Sequence, residues 1–355
     1  MKRLPLRTAL AVALLSTTVS VCAKNLVVCT EASPEGFDIA QFTTAVTADA
    51  SAETILNRLA DFAPGTTDVE PALAERWDIS PDGLEYTFYL RPGVKFHTTE
   101  YFKPTRTLNA DDVVWSFQRQ LDPNHPWHAL SLVGYPYFES MGFKDLLKSV
   151  EKIDDLTVKI TLNHPEAPFL RDVAMPFTSI YSAEYADQLL KSGKTADLNN
   201  KPIGTGPFIF VRYNKDAQVR FKANPDYFRG KPPSDALIFA ITTDSNVRLQ
   251  KLKANECQIA LYPKPDDVKN IRKDPNLKVD ELAALMTSYI AINSSHKYLG
   301  DVRVRKAIDM AFDKQTYLNT VHGEGNALIA INPYPPSSSS GPSRCWESDA
   351  WPSSR

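Results

Sequence analysis

The spacing of hydrophobic and polar positions predicts strands and hairpins along much of the chain. A short β-rich run at 26–30 comes first, and alternating positions at 77–79 and 85–91 are joined by the turn Ser-Pro-Asp-Gly. Proline second and glycine fourth favour a turn, so this stretch is predicted to form a hairpin. The same strand, bend and strand pattern returns over 150–162. Further strands are predicted in FIFVRY, QVRFKA, ALIFAI and MTSYIAIN, the last at 286–293.

Helical spacing accounts for other parts of the pattern. Hydrophobic residues in 47–60 fall on one side of a predicted helix, and a second helix is predicted over 108–121 with Asn109 as its N-cap. Asp111 and Asp112 suit the first turn of the second helix, because the helix dipole favours negative charge there.

The remaining helices complete the assignment of the fold class. ALIFAI leads into a helix whose N-cap is Asp244 or Ser245, and a short helix is predicted within HPEAPFLRDVAM. The clearest amphipathic helix in the chain is predicted over 302–321. These elements indicate an α/β or α+β fold with several antiparallel hairpins.

Composition limits the class of protein. At 355 residues the chain is long enough for two or more domains, and its 43% hydrophobic and 23% charged residues match an ordinary globular protein. The formal net charge of −2 gives no general attraction to nucleic acid or to an anionic membrane. With 26 prolines and only 14 glycines, rigid connections are favoured over flexible ones.

The first residues have the pattern of a signal peptide. Basic residues precede the hydrophobic run TALAVALL, and Val21 and Ala23 occupy the −3 and −1 positions of a signal-peptidase site. Residues 1–23 are therefore expected to be cleaved, so that a periplasmic protein starts at Lys24. The alternatives are an amphipathic first helix and a lipid on Cys22, which the bulky Val21 before it disfavours.

The cysteines fit this compartment. Cys29 and Cys257 would remain after cleavage, in an oxidising environment where disulfides persist. A bridge between them would close a long loop and could stabilise the fold by roughly 5 kcal/mol. The sequence leaves two buried free thiols as the alternative, and Cys345 has no remaining partner.

No arrangement of residues points to catalysis. HExxH, CxxC and GxSxG motifs are absent, and the paired acids fit helix starts and turns better than an acid–base pair. His125 and His128 have no further ligand at metal-binding spacing and are interpreted as loop residues. The Gly-Thr-Gly-Pro run at 204–207 is interpreted as a tight turn before a strand. We expect a protein that is not an enzyme and has neither metal nor cofactor.

Several motifs, taken in order, are characteristic of one family. They are LVVCTEASPEGFD, LAERWDISPDGLEYTFYLRPGVKFH, LNADDVVWSFQRQ, PEAPFL, NKPIGTGPF, KANECQI and DVRVRKAIDMAFDK. Each motif is weak alone, but together they resemble the periplasmic dipeptide-binding proteins of the peptide/nickel solute-binding family, which serve ABC importers. The resemblance covers about 24–336.

The resemblance implies a two-lobe clamshell of the α/β class. Lobe I would span 24–283 and contain a family-specific inserted subdomain at about 55–200. Lobe II would start near residue 284, so that 284–336 form its first part, with MTSYIAIN as a crossover strand. Cys29 and Cys257 match the lobe I disulfide of the family, so the resemblance also implies that bridge.

The family likeness further implies the ligand and its partners. A monomer would capture a dipeptide or short peptide and deliver it to an inner-membrane ABC permease, with no role for nucleic acid. Phe42, Thr43, Thr44 and Ala45 correspond to the lobe I segment whose backbone and hydroxyls pair with the peptide like an added strand. Without the resemblance, this segment would be interpreted as a loop. The charged anchors for the peptide termini would lie in lobe II, further along than this sequence runs.

The last residues depart from the pattern. From about residue 337 the likeness stops, and the sequence becomes SSSSGPSRCWESDAWPSSR, which has no periodicity. The hypothesis is a frameshift or premature gene end, which would leave lobe II incomplete, 337–355 an aberrant disordered tail and peptide binding impaired. A natural short variant is less favoured, because it would expose an unpaired strand edge and the apolar side of 302–321.

Other functions stay open at this point. The same scaffold accommodates longer peptides, haem, nickel or a sugar in the family. A secreted hydrolase would need a nucleophile and base that the sequence does not reveal, and a structural or adhesion role for lobe I would need a stable protein partner.

Overall fold

The structure is a computed structural model that describes residues 25–131, 133–281 and 287–330. Its strands are β1 Asn25–Thr30, β2 Ala60–Phe62, β3 Val69–Pro71, β4 Ala74–Ile79, β5 Glu85–Leu90, β6 Leu147–Asp154, β7 Thr157–Leu162, β8 Phe208–Asn214, β9 Gln218–Ala223, β10 Ala236–Ile241 and β11 Ile259–Ala260. The predicted signal peptide and the predicted tail lie outside these residues.

The helices connect two larger sheets and a short pair of strands. They are α1 Ala45–Ala50, α2 Ala110–Leu121, α3 Pro136–Ser140, α4 Phe143–Leu146, α5 Phe169–Val173, α6 Ala183–Lys191, α7 Asp197–Asn200, α8 Ser245–Lys253, α9 Pro265–Ile271, α10 Val302–Ala311 and α11 Lys314–His322. Single 3₁₀ turns lie at Ile39–Gln41 and Pro176–Thr178. No helix among the described residues has both the length and the hydrophobicity that crossing a membrane requires.

The first sheet has the strand order β11-β1-β10-β9-β8 and mixes parallel with antiparallel pairing. Strand β1 runs parallel to both β10 and β11, while β9 pairs antiparallel with β10 and β8. Phe210, Phe221 and Phe239 pack edge to face on one side of it, and Phe37 completes the group. The disulfide between Cys29 in β1 and Cys257 ahead of β11 is present, with Cα atoms 5.8 Å apart.

The second sheet is antiparallel, with the order β4-β5-β7-β6, and lies within the predicted insertion. Phe88, Val158 and Ile160 alternate with more exposed neighbours along β5 and β7 and are fully buried. Helix α2 contacts β6 and β7. The arrangement is a mixed α/β fold, while the boundaries drawn for the two lobes and the insertion remain predictions.

Local signals in the sequence place several elements correctly. The hairpin of β4 and β5 closes through Gly83, whose φ of +69° suits glycine and whose N–H donates to the Ser80 carbonyl. Helix α2 begins with a capping box between Asn109 and Asp112. Asp244, rather than Ser245, is the N-cap of α8.

The helix predicted over 47–60 is wrong beyond Ala50. The backbone leaves the helical region at Ser51, where φ is −122° and ψ is −69°. The carbonyls of Thr54 and Ile55 instead accept hydrogen bonds from Phe208 and Gly206, at 3.0 and 2.7 Å. Because these carbonyls are used by a distant segment, the chain turns there and still buries its hydrophobic side chains.

Two predictions near the end of the described chain also differ from the structure. Residues 287–293 form no strand and pair with none of the described strands. Residue 286, the first of the predicted strand, lies outside the described residues. The helix predicted over 302–321 is two helices, because Asp313 caps α11 by accepting from the Thr316 N–H at 3.0 Å. No residue of α10 or α11 is buried, and Met310 is 77% exposed.

Candidate functional site

The predicted ligand-binding segment lies between the 3₁₀ turn Ile39–Gln41 and helix α1. Phe42 has extended backbone angles (φ −130°, ψ 161°), as does Thr44 (φ −78°, ψ 142°). Phe42 is half-buried, whereas Thr43, Thr44 and Ala45 are exposed. Among the described residues, no hydrogen bond engages the N–H groups of Thr43 and Thr44. The segment therefore offers an extended stretch of backbone with free donors.

The hydroxyl of Thr44 faces back toward its own chain. It donates to Glu35 Oε2 at 2.8 Å and lies 2.9 Å from the Thr47 hydroxyl, while the Glu35 N–H donates to that same Thr47 hydroxyl. These bonds hold the start of α1 against the loop that follows β1. The Thr44 hydroxyl is thus occupied, which leaves the backbone as the part of this residue available to a ligand.

A buried ion pair fixes the turn that precedes the segment. Arg119 of α2 donates from Nη1 and Nη2 to the Asp38 carboxylate, at 2.8 and 2.6 Å, and neither side chain is more than 1% exposed. Burial alone would raise the pKa of Asp38, but the charge and hydrogen bonds of Arg119 outweigh it, so the pKa of Asp38 lies below its ordinary value. Both groups therefore remain charged inside the protein.

The same network extends to the segment itself. Gln41 Nε2 donates to Asp38 Oδ2 at 2.6 Å, and Gln41 Oε1 accepts from the Ser131 hydroxyl at 3.0 Å. Gln41 directly precedes Phe42. The orientation of the extended stretch is consequently tied to α2 and to the loop around Ser131.

An acidic group lies at the other end of α1, close to the carboxyl ends of β1 and β11. Burial raises the pKa of Asp49 to about 6, with further contributions from the negative charges of Glu53 and Glu31. Glu53 pairs with Arg58 at 2.8 Å. Carboxyl ends of parallel strands are where open α/β sheets usually bind ligands, so this edge of the sheet borders the candidate site.

The described residues hold no group of three or more His, Cys, Asp or Glu side chains arranged to bind a metal. His125 and His128 serve local packing: the His125 ring accepts from the Trp127 N–H, and the His128 ring bonds the Arg119 carbonyl oxygen at 3.0 Å. The arrangement around α1 can bind a polar extended ligand through backbone groups.

Sequence reasoning missed the residues that hold the segment in place. Asp38 and Arg119 each lie within a motif noted above, but their separation of 81 positions gives no signal that they meet. The pattern at 204–207 predicts only a turn, whereas the lack of a side chain at Gly204 and Gly206 also lets the backbone approach Ile55. A pattern within one segment does not report contacts of this kind.

Residues 68–345 match the family model described as bacterial extracellular solute-binding proteins, family 5 Middle. The chain belongs to this family of solute-binding proteins.

Individual relatives show how far the likeness extends. The chain is 67% identical over 336 residues to Di/tripeptide-binding protein 4 of Pseudomonas aeruginosa, which covers 95% of this chain and 62% of that protein. It is 48% identical to Heme-binding protein A of Haemophilus influenzae, covering 88% of this chain and 57% of that protein.

A solved structure agrees with the fold. The ABC transporter-associated periplasmic binding protein DppA from Helicobacter pylori, in complex with the peptide STSA, matches with a TM-score of 0.82 and 38% identity. The match covers 89% of this chain and 62% of that one. The chain thus spans about three fifths of the length of the relatives it matches.

Proposed function

We propose that this chain belongs to the extracytoplasmic substrate-binding component of an ABC importer, which captures dipeptides or short peptides and delivers them to a membrane permease. The protein would act as a periplasmic monomer after removal of residues 1–23. The observation that carries the proposal is the extended stretch Phe42–Thr44, in which the free N–H groups of Thr43 and Thr44 suit an extended peptide, in a chain 67% identical to a di/tripeptide-binding protein.

Backbone pairing explains how such a site accepts peptides of differing sequence. A peptide aligned beside Phe42–Thr44 gains main-chain hydrogen bonds that do not depend on its side chains. The hydrogen bond that Gln41 donates to Asp38 and the one that it accepts from Ser131 hold the backbone beside the peptide in place before the ligand arrives. Preorganisation of this kind reduces the entropy lost on binding.

A proline substitution tests the role of the backbone donor. Thr44→Pro removes one N–H, and the Thr44 φ of −78° is close to the value that proline imposes. The matched control Thr44→Ala removes the same hydroxyl but keeps the N–H. Titration calorimetry with the dipeptide Ala-Leu should show weaker binding in Thr44→Pro than in Thr44→Ala, with Di/tripeptide-binding protein 4 as a positive control for the ligand.

Dipeptide binding that is identical in the two variants would contradict the assigned segment, since the N–H of Thr44 would then not contact the ligand. Saturable binding of haem without any binding of dipeptide would contradict the proposed ligand, and the relative named Heme-binding protein A makes haem the second candidate. Haem binding is followed by its visible absorbance spectrum. Peptide products in the calorimeter solution would instead indicate a hydrolase.

A further inference from the structure

A cavity of about 610 Å³ has walls that include none of Phe42–Ala45. Its walls come from 95–98 after β5, 104–107 before α2, Ile209 of β8, and 222–226 at the end of β9. None of these residues hydrogen-bonds to Phe42–Ala45. Small-molecule sites commonly occupy about 300–1,000 Å³, so the volume suits a small ligand.

The sheet register places this cavity on the face opposite the aromatic core. Ile209 pairs with Lys222, and the next pair along the same strands is Phe210 with Phe221. Neighbouring residues of a strand point to opposite faces, so Ile209 and Lys222 share the face turned away from Phe221. The segment 95–98 covers that face, held by the His97 N–H, which donates to the Gly204 carbonyl at 2.8 Å.

Cations outnumber carboxylates in the cavity wall, and most of these cations already have a carboxylate partner. Lys95 forms an ion pair with Asp226 at 2.9 Å. Arg106 donates to both oxygens of the buried Asp112, at 2.6 and 2.9 Å. Lys222 has no carboxylate within ion-pair distance among the described residues. The cation of the cavity wall that remains available to a ligand is therefore the ammonium of Lys222, whose side chain is exposed to solvent.

His97 keeps the inner wall neutral. Its Nε2 lies 2.9 Å from the Gly206 carbonyl oxygen, to which it donates. Burial lowers the pKa of His97 to about 4, and the nearby charge of Lys222 contributes to the lowering. The ring is uncharged at neutral pH, so Lys222 carries the local positive charge without a protonated imidazole beside it.

The rest of the lining suits an organic rather than an inorganic anion. Phe96, Ile209 and Pro225 supply apolar surface, and the hydroxyls of Thr98 and Thr107 make no hydrogen bond within the described residues. We propose that this cavity binds a small organic carboxylate, with Lys222 pairing with its acid group and the apolar wall receiving its hydrocarbon part. Because Lys222 is exposed, water screens this ion pair, and the ligand would need the contact of its hydrocarbon part as well as the charge pairing.

Benzoate is a suitable probe, because it joins one carboxylate to a flat apolar ring. We expect titration of the ¹⁵N-labelled chain to give saturable amide shifts in 95–98 and 222–226. Benzamide has the same ring without the charge, and inorganic phosphate has charge without the ring, so both should bind about two- to fivefold more weakly. Added salt should weaken benzoate binding.

Variants of single lysines assign the site. Lys222→Gln should weaken benzoate binding by about two- to fivefold, because the pair made by an exposed lysine is screened by water. Lys215→Gln, in the turn between β8 and β9, makes the same charge change away from the cavity and should leave binding unchanged. Equal losses in the two variants, or phosphate binding as tight as benzoate, would overturn the proposal.

The test is independent of the proposed transport function. A dipeptide that displaces benzoate from the cavity would assign it to the peptide site and would refute a separate site. Absence of dipeptide binding, in contrast, has no bearing on benzoate. Benzoate shifts confined to the exposed helices α10 and α11 would indicate non-specific adsorption and would also refute the assignment.

Discussion

Asp38 and Arg119, 81 positions apart in the sequence, form a two-pronged ion pair that is closed off from solvent. The guanidinium also lies over the Tyr181 ring, with Cζ 4.3 Å from its centroid. A buried pair of this kind is costly to break, because the remaining charge loses both its partner and water. The pair links the turn before Phe42 to α2, so it connects stability to the geometry of the candidate site.

Removing one charge of this pair should destabilise the protein strongly. Asp38→Asn keeps the shape of the side chain but leaves the Arg119 guanidinium buried without a counter-charge. We expect the free energy of unfolding to fall by about 3–5 kcal/mol, measured by urea denaturation at pH 7. The double variant Asp38→Asn/Arg119→Met removes both charges and should be more stable than the single variant. A single variant within about 1 kcal/mol of the parent would contradict the role assigned to the pair.

The carboxylate of Asp49 should give the opposite pH dependence to Asp38. The pKa of Asp49 is raised to about 6, above the usual value of about 3.9 for the unfolded chain. The stabilisation from protonated Asp49 is therefore fully present below the unfolded pKa of about 3.9, and it is lost as the pH rises through the folded pKa of about 6. Asp49→Asn should raise stability at pH 7 by about 1–2 kcal/mol, with little effect at pH 4.

The comparison is made by urea denaturation from pH 4 to pH 7. Glu100→Gln, at an exposed position, serves as the control and should change stability equally at both ends of the range. A constant difference between Asp49→Asn and the parent over this range would show that Asp49 does not titrate as described.

Gly206 should tolerate no side chain. Its N–H donates to the Ile55 carbonyl at 2.7 Å, and a Cβ atom at this position would lie 2.6 Å from the same oxygen. Gly206→Ala should therefore displace 204–208 from Ile55 and lower the thermal unfolding temperature. Gly93→Ala is the control: Gly93 has open space around it but a φ of +73°, which costs alanine about 1–2 kcal/mol. An effect no larger than that of Gly93→Ala would contradict the close approach.

The Cys29–Cys257 disulfide should contribute to stability by joining distant parts of the chain. The two cysteines are 228 positions apart, and the bond ties β1 to the segment before β11. Replacing both by serine should lower the free energy of unfolding by about 2–5 kcal/mol. Chemical denaturation with and without reductant measures this, and the double variant should be insensitive to reductant. Identical unfolding of the parent and the double variant would contradict the prediction.

Sequence patterns identified the elements whose signals lie within a few residues. The hairpin of β4 and β5 follows from the Ser-Pro-Asp-Gly turn and the alternation on both sides, and α2 follows from Asn109 and the acids after it. The order of motifs was sufficient for the family, which the matched family model confirms. Each of these inferences depends on local backbone preferences or on periodicity, and both are written in consecutive residues.

Tertiary structure decided what depends on contacts between distant segments. The chain leaves the helix at Ser51, and the carbonyls of Thr54 and Ile55 then accept from Phe208 and Gly206, a contact with a distant segment that no local pattern reports. The pairing of Asp38 with Arg119 and the unpaired charge of Lys222 likewise arise only when separate segments meet. The sequence by itself therefore determined the family and the elements with local signals, such as the β4–β5 hairpin and α2. The placement of the candidate segment and the second cavity required the packed chain, since burial and charge pairing are properties of neighbours in space.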